Sequence, residues 1–163
     1  YTAKVAGTER GIVEPVATFS PCFGGPFLTL HPLKYAELLK EKIDEHHSKI
    51  YLVNTGWIGG SAISGAKRIS IKNTRTMINS ILNRSIENSD FNVEPIFGLN
   101  CPATLDGIES KILNPRKSWD DSKQYDITAI KLSKLFINNF KLYGGNVSYL
   151  ESAGPVINNK VIA

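Results

Sequence analysis

The feature that most constrains this chain is a change of hydrophobic period within one short stretch. Pro32 opens a segment in which Leu33, Ala36, Leu39 and Ile43 recur at three-and-four spacing, the pattern of an amphipathic helix. Proline is favoured at a first helical position because its missing N–H would be unpaired there anyway. A helix is therefore predicted from Pro32 to His47. Ile50-Tyr51-Leu52-Val53 then reads as a buried strand rich in β-formers, stopped by Asn54-Thr55-Gly56. Helix followed by buried strand is an α/β signature, and the loop after such a strand is where these folds hold ligands.

On either side the pattern is looser. Residues 1 to 30 are rich in Gly, Pro, Thr and Val and read as loops with room for one strand. From Asn54 to Gly65 the chain is Gly- and Ser-rich, after which Arg68-Ile69-Ser70-Ile71-Lys72 alternates like a half-buried strand. A helix should follow, with Thr74 as its N-cap and Met77, Ile78, Ile81 and Leu82 as one apolar stripe. A strand is expected around Val93 to Phe97, then a loop holding Pro102 and Gly107. Ser118 to Tyr143 reads as a second strong helix, since Leu132, Leu135, Phe136, Phe140 and Tyr143 share a face and Gly144-Gly145 stops it. There is no internal repeat or low-complexity segment, and the polar tail after Gly154-Pro155 should fray.

Composition narrows the function classes. With 163 residues, 42% hydrophobic and 21% charged, the chain has the balance of one soluble globular domain. Nineteen Lys and Arg against fifteen Asp and Glu give a formal charge of +4, but the charges are interspersed, so nucleic acid is not implied. No apolar run approaches the roughly 18 residues of a bilayer span, and the first residues lack a signal peptide's basic start and apolar middle, so membrane and secretory readings are not favoured. Cys22 and Cys101 lie far apart without a second pair, which fits reduced thiols in a cytosolic protein. The chain opens at Tyr1 and its one Met is Met77, as expected of a piece of a longer protein whose function is divided between the piece and its parent.

Few residues invite chemistry. Gly60 to Lys67 has two glycines flanking four residues, but Ala66 displaces the lysine of a phosphate loop, Arg68 takes the hydroxyl position and a strand pattern follows, so a surface turn is the better reading. Arginine is scarce, five against fourteen lysines. Arg68 and Arg75 flank a strand-to-helix junction, where a guanidinium can stack on an aromatic ring and a helix N-terminus offers amide donors; two solvated charges are the plainer alternative. His46-His47 points in two directions on a helix and suits its negative end better than a metal. Trp57 is a core anchor or a stacking platform. Thr8-Glu9-Arg10-Gly11 is a Gly-bounded loop with an acid and a base, which suits a mobile lid or an ordinary surface turn. All three His lie between residues 31 and 47, so no nucleophile-and-base arrangement is proposed.

Taken together, these residues resemble the C-terminal part of the ATP-dependent phosphoenolpyruvate carboxykinases. The similarity is carried by Thr2 to Gly11, Phe19-Ser20-Pro21-Cys22-Phe23-Gly24, Leu30-His31-Pro32 with Tyr35-Ala36, Leu52-Val53-Asn54-Thr55-Gly56-Trp57, Lys67 to Lys72 with Thr74-Arg75, and Lys111-Ile112-Leu113 with Pro115-Arg116, all in family order. The resemblance implies a role in converting oxaloacetate and ATP to phosphoenolpyruvate, ADP and CO₂ in gluconeogenesis, with Mg²⁺ on the nucleotide and Mn²⁺ at the reacting centre. It implies an α/β fold, the C-terminal part of a P-loop-containing mononucleotide-binding domain with a mixed sheet and flanking helices, the phosphate loop itself lying outside this chain. Residues 1–30 would be lid and loops and 31–163 the α/β segment.

The resemblance places adenosine contacts at Arg68, Ile69 and Thr74, and a lid from Ala3 to Pro15 that includes Thr8, Glu9, Arg10 and Gly11. The family's phosphate loop, metal ligands and oxaloacetate-binding arginines belong before Tyr1, so no catalytic or metal residue is expected here, and this piece alone should be inactive. The implied location is cytoplasmic, and the implied partners are ATP or ADP and oxaloacetate or phosphoenolpyruvate, with no nucleic acid and no membrane. The oligomeric state is not indicated. Gly59 to Ala66 is longer than in some members. The alternative is a non-catalytic nucleotide-binding or interaction module on the same scaffold; a GTP-using relative ranks behind it, because the Thr-Gly-Trp and Lys-Arg-Ile blocks resemble the ATP class more closely.

Overall fold

A computed structural model of the chain describes residues 2–4, 7, 10–14, 16–19, 25–61 and 64–157. Contacts divide the chain into two compact units, one of Tyr1–Leu52 with Tyr143–Ser148 and the other of Val53–Leu142 with Tyr149–Ala163. Helices and short strands mix along the chain. The described strands form three separate two-stranded antiparallel sheets, not the expected mixed sheet.

In the first unit β1 (Thr2–Lys4) pairs with β2 (Val16–Thr18), Ala3 opposite Ala17. The long helix α1 (Pro32–His46) starts at the predicted Pro32 and ends one residue before the predicted His47, for local reasons at both ends. His31 Nδ1 accepts from the Leu33 amide at 3.2 Å, and Pro32 stands in the first turn. His47 takes a left-handed conformation, with φ +49°, and the following amide of Ser48 donates to the Ile43 carbonyl at 3.2 Å. None of the residues of α1 is buried. Lys40–Asp44 and Lys42–Glu45 pair along its surface at helical spacing. The predicted strand Ile50–Val53 is not formed. Nor is the stretch buried as expected, since Ile50 and Leu52 are exposed and Tyr51 and Val53 half-buried; no described segment pairs with it, and a strand is held by its neighbours' hydrogen bonds.

The second unit carries a core. A hairpin of β3 (Trp57–Ile58) and β4 (Lys67–Arg68) leads into α2 (Ile71–Leu82); a second hairpin, β5 (Phe91–Val93) and β6 (Asn100–Pro102), is followed by the short α3 (Ser110–Leu113), a 3-10 turn at Arg116–Ser118, and α4 (Ser122–Phe140). Ile96, Tyr125 and Ala129 are buried together, with Phe97 and Trp119 against them. Rings meet edge to face at Phe97–Phe136 (6.2 Å) and Trp119–Tyr125 (5.9 Å). The Glu94 carboxylate ties the turn after β5 to α4: it accepts from the amides of Ile96 (3.0 Å) and Phe97 (2.6 Å) and from the Tyr125 hydroxyl (3.3 Å). Burial and that neighbouring carboxylate push the Tyr125 phenol far above its ordinary range.

Four elements differ in their boundaries from the sequence reading. The helix expected after residue 74 begins a turn earlier, because Ser70, not Thr74, caps it: the Asn73 amide donates to Ser70 Oγ at 3.1 Å. The strand expected over Arg68 to Lys72 accordingly stops at Arg68. The strand expected to reach Phe97 ends at Val93, where the chain turns; the Gly98 amide donates to the Glu94 carbonyl at 2.9 Å. Helix α4 spans most of the predicted Ser118–Tyr143 helix, starting from its Asp121 cap and giving way at Lys141–Tyr143 to a 3-10 turn.

Candidate functional site

The strand-to-helix junction gathers the residues that the sequence singles out in the second unit. Asn54 starts it: its Oδ1 accepts the Gly56 amide at 2.8 Å and its Nδ2 donates to the Trp57 carbonyl at 3.3 Å, forming a side-chain-closed turn that aims the chain into β3. Trp57 is then paired with Arg68 across the hairpin, and Ile58 with Lys67. The Ile69 amide continues the pairing by donating to the Gly56 carbonyl at 2.9 Å.

This register sets the side chains. The Arg68 guanidinium carbon lies 5.7 Å from the centre of the Trp57 ring, and Nη2 donates to the Thr55 carbonyl at 3.2 Å. A planar, always-charged group on an aromatic face has a restricted orientation, while the rest of its N–H fork remains open to solvent. Trp57 is half-buried, so it serves packing and stacking at once. Ile69 is half-buried beside it, and Thr74, also half-buried, lies one turn into α2 with its amide donating to the Ser70 carbonyl at 2.9 Å. Because Ser70 makes the cap, the Thr74 hydroxyl takes no part in it.

The electrostatics are one-sided. The first turn of α2 has no acid, and Lys67, Arg68, Lys72 and Arg75 are all exposed around it. Helix-end amides and these cations together favour an anionic or strongly polar ligand. Among the described residues no group of three or more His, Cys, Asp or Glu could hold a metal ion, so no metal is assigned to these side chains. No helix of the described residues is long and apolar enough to cross a membrane.

The residues expected to form the lid belong to the first unit. Arg10 and Gly11 sit in an exposed turn where Gly11 has φ +86°, whereas Thr8 and Glu9 lie outside the described residues. Sequence reasoning missed two features that bear on the junction. Gly59, at φ +78°, stands so close to the Ser118 carbonyl oxygen that a Cβ there would meet it at 2.8 Å. Arg116 makes a two-pronged ion pair with the buried Asp126, Nε to Oδ1 at 2.8 Å and Nη2 to Oδ2 at 2.9 Å. This guanidinium holds the Asp126 carboxyl below the usual carboxylate range. A glycine at Gly59 was visible as a turn residue, but neither partner was, because each lies far along the chain.

Comparison with known proteins assigns the class of this chain. Residues 1–111 match the family model described as phosphoenolpyruvate carboxykinase, and the chain belongs to that family. Among its relatives, the phosphoenolpyruvate carboxykinase (ATP) of Campylobacter lari is 59% identical over 159 residues, covering 96% of this chain and 30% of that protein. The proteins of the same name from Sulfurimonas denitrificans and Caldanaerobacter subterraneus subsp. tengcongensis are 54% and 50% identical, over 96% and 95% of this chain. The chain spans about 30% of the length of these curated relatives.

Proposed function

We propose that this chain is the C-terminal portion of the nucleotide-binding domain of an ATP-dependent phosphoenolpyruvate carboxykinase, residues 1–30 supplying lid and loops and 31–163 the α/β segment. The complete protein would act in the cytoplasm, turning oxaloacetate and ATP into phosphoenolpyruvate, ADP and CO₂. Its Mg²⁺ and Mn²⁺, held outside this chain, would stabilise the enolate and the transferring phosphoryl group. The observation that carries the reading is the Arg68 guanidinium set on Trp57 and tied to Thr55, beside Ile69 and Thr74.

In this reading Arg68 meets the adenine and ribose with the open side of its fork, Ile69 lines the base pocket, and the hydroxyl of Thr74 is available to a nucleoside polar group. The cations around the start of α2 attract the nucleotide electrostatically. The loop containing Thr8, Glu9, Arg10 and Gly11 closes over bound substrates and limits the access of water to the enolate. This chain therefore binds and orients, while bond making and breaking fall to residues outside it.

The test is Arg68→Ala in the complete protein. Losing a stacked, charge-bearing contact should raise the KM for ATP about tenfold, the ratio that about 1.4 kcal/mol represents, with the melting temperature little changed. Unchanged nucleotide kinetics would refute the assignment of Arg68.

A further inference from the structure

The β3–β4 hairpin has two residue pairs, Trp57 with Arg68 and Ile58 with Lys67. A ribbon so short does not hold its own position in water. Directly after its first strand, within the second unit, stands Gly59. Its φ of +78° suits glycine, and the Ser118 carbonyl oxygen occupies the place where a Cβ would come within 2.8 Å. The backbone that follows Trp57-Ile58 thus abuts the backbone of the Arg116–Ser118 turn.

That turn is itself pinned. The Ser118 amide donates to the Asn114 carbonyl at 3.1 Å, Ser118 Oγ donates to the Pro115 carbonyl at 2.6 Å, and the Lys117 amide donates to Asn114 Oδ1 at 3.0 Å. These bonds shape the turn locally. The Arg116–Asp126 pair joins it to α4, and Asp126 follows Tyr125, a member of the core. A two-pronged guanidinium–carboxylate pair fixes orientation as well as distance, which a lysine, a point charge on a flexible stem, does not. Asp126 engages two of the five N–H groups of Arg116, so the pair fixes the guanidinium on the side that faces α4.

We propose that the Arg116–Asp126 pair is a positioning device for the nucleotide-contact hairpin, acting through the Ser118 carbonyl on Gly59 and so on the placement of Trp57 and Arg68. The proposal rests on the assignment of Arg68 to the nucleotide. Asp126 ties the turn to the core, the turn seats the hairpin, and the hairpin register aims the Arg68 guanidinium. In this proposal the pair acts through the hairpin and needs no contact of its own with ATP.

The experiment measures KM for ATP, KM for oxaloacetate, kcat and melting temperature in the complete protein, for Arg116→Ala, Arg116→Lys and Gly59→Ala, with Arg68→Ala alongside. Arg116→Ala should raise the KM for ATP about threefold to tenfold and leave kcat and the KM for oxaloacetate within about twofold, the scale expected of coupling through packed neighbours. Arg116→Lys should fall between it and the parent, and Gly59→Ala should change the same constant. Should Gly59→Ala not fold, the two Arg116 variants decide alone. A lower melting temperature with an unchanged KM for ATP in Arg116→Ala, while Arg68→Ala raises it, would reduce the pair to a purely structural role and overturn the proposal. If Arg68→Ala itself leaves the KM for ATP unchanged, the nucleotide assignment fails and this inference with it.

Discussion

Helices α1 and α4 announce themselves by the same three-and-four spacing of apolar residues, yet the structure uses them differently. Helix α1, 15 residues long, buries none of them, while the 19 residues of α4 include Tyr125, Asp126, Ala129 and Ser133, all buried. The same contrast separates the units to which they belong. Among the described residues the buried hydrophobics are Val147 in the first unit and Ile86, Ile96, Ile108, Tyr125 and Ala129 in the second. An apolar stripe says which face of a helix can be covered; it does not say that anything covers it. Caps and surface ion pairs shape α1, whereas α4 is held by side chains that meet Ile96, Phe97 and Trp119.

The sharpest way to break this contrast is to remove equal amounts of side chain from the two units. Ile96→Ala, at a site 2% exposed, should cost about 3 kcal/mol of stability in urea unfolding, through lost transfer free energy and the cavity left behind. An effect of Ile96→Ala below about 1 kcal/mol would mean that the second unit has no tight core.

Next in size is the ion pair. Asp126 has its folded pKa lowered by Arg116, so the stability it contributes is fully present above the ordinary unfolded carboxylate value and is lost as pH falls through the lower, folded value. Stability measured from pH 7 down into the acid range should therefore decline less steeply below the ordinary carboxylate range in Asp126→Asn than in the parent. Identical acid limbs would show that the pair contributes nothing selective to the second unit.

Helix capping gives a smaller effect and discriminates between two neighbouring residues. Ser70→Ala should destabilise α2 by about 1 kcal/mol, and Thr74→Ala by clearly less, read as the loss of hydrogen-exchange protection in the first turns of the helix. The reverse order would restore the helix start that periodicity suggests. The smallest change is expected in α1, where Leu39, 61% exposed, should tolerate Leu39→Ala within about 0.5 kcal/mol. A loss comparable to that of Ile96→Ala would show that the first unit hides a packed face on α1.

The parts of this protein that were legible in the sequence are those whose causes are local. Pro32 in the first turn, the left-handed His47 and the run to Phe140 followed by Gly144 at φ +80° bound the two long helices close to where spacing and caps put them. The junction holding Arg68, Ile69 and Thr74 was also visible, because scarce arginines beside a helix start are a pattern within a few residues. Where two local readings competed, the pattern was insufficient: Arg68 to Lys72 alternates like a strand, but Ser70 offers a hydroxyl to the Asn73 amide and the helix prevails.

The sequence by itself therefore determined the two long helices, the arginine-bearing junction and the resemblance that led to the carboxykinase family. Tertiary structure alone decided which apolar faces are covered, that Ile50–Val53 has no strand partner among the described residues, that Trp57 carries Arg68, and that Arg116 finds Asp126 and Ser118 finds Gly59. The physical reason is range. Caps and helical turns are closed by groups a few residues apart, whereas burial, strand pairing and buried ion pairs are closed by groups that only the folded chain brings together.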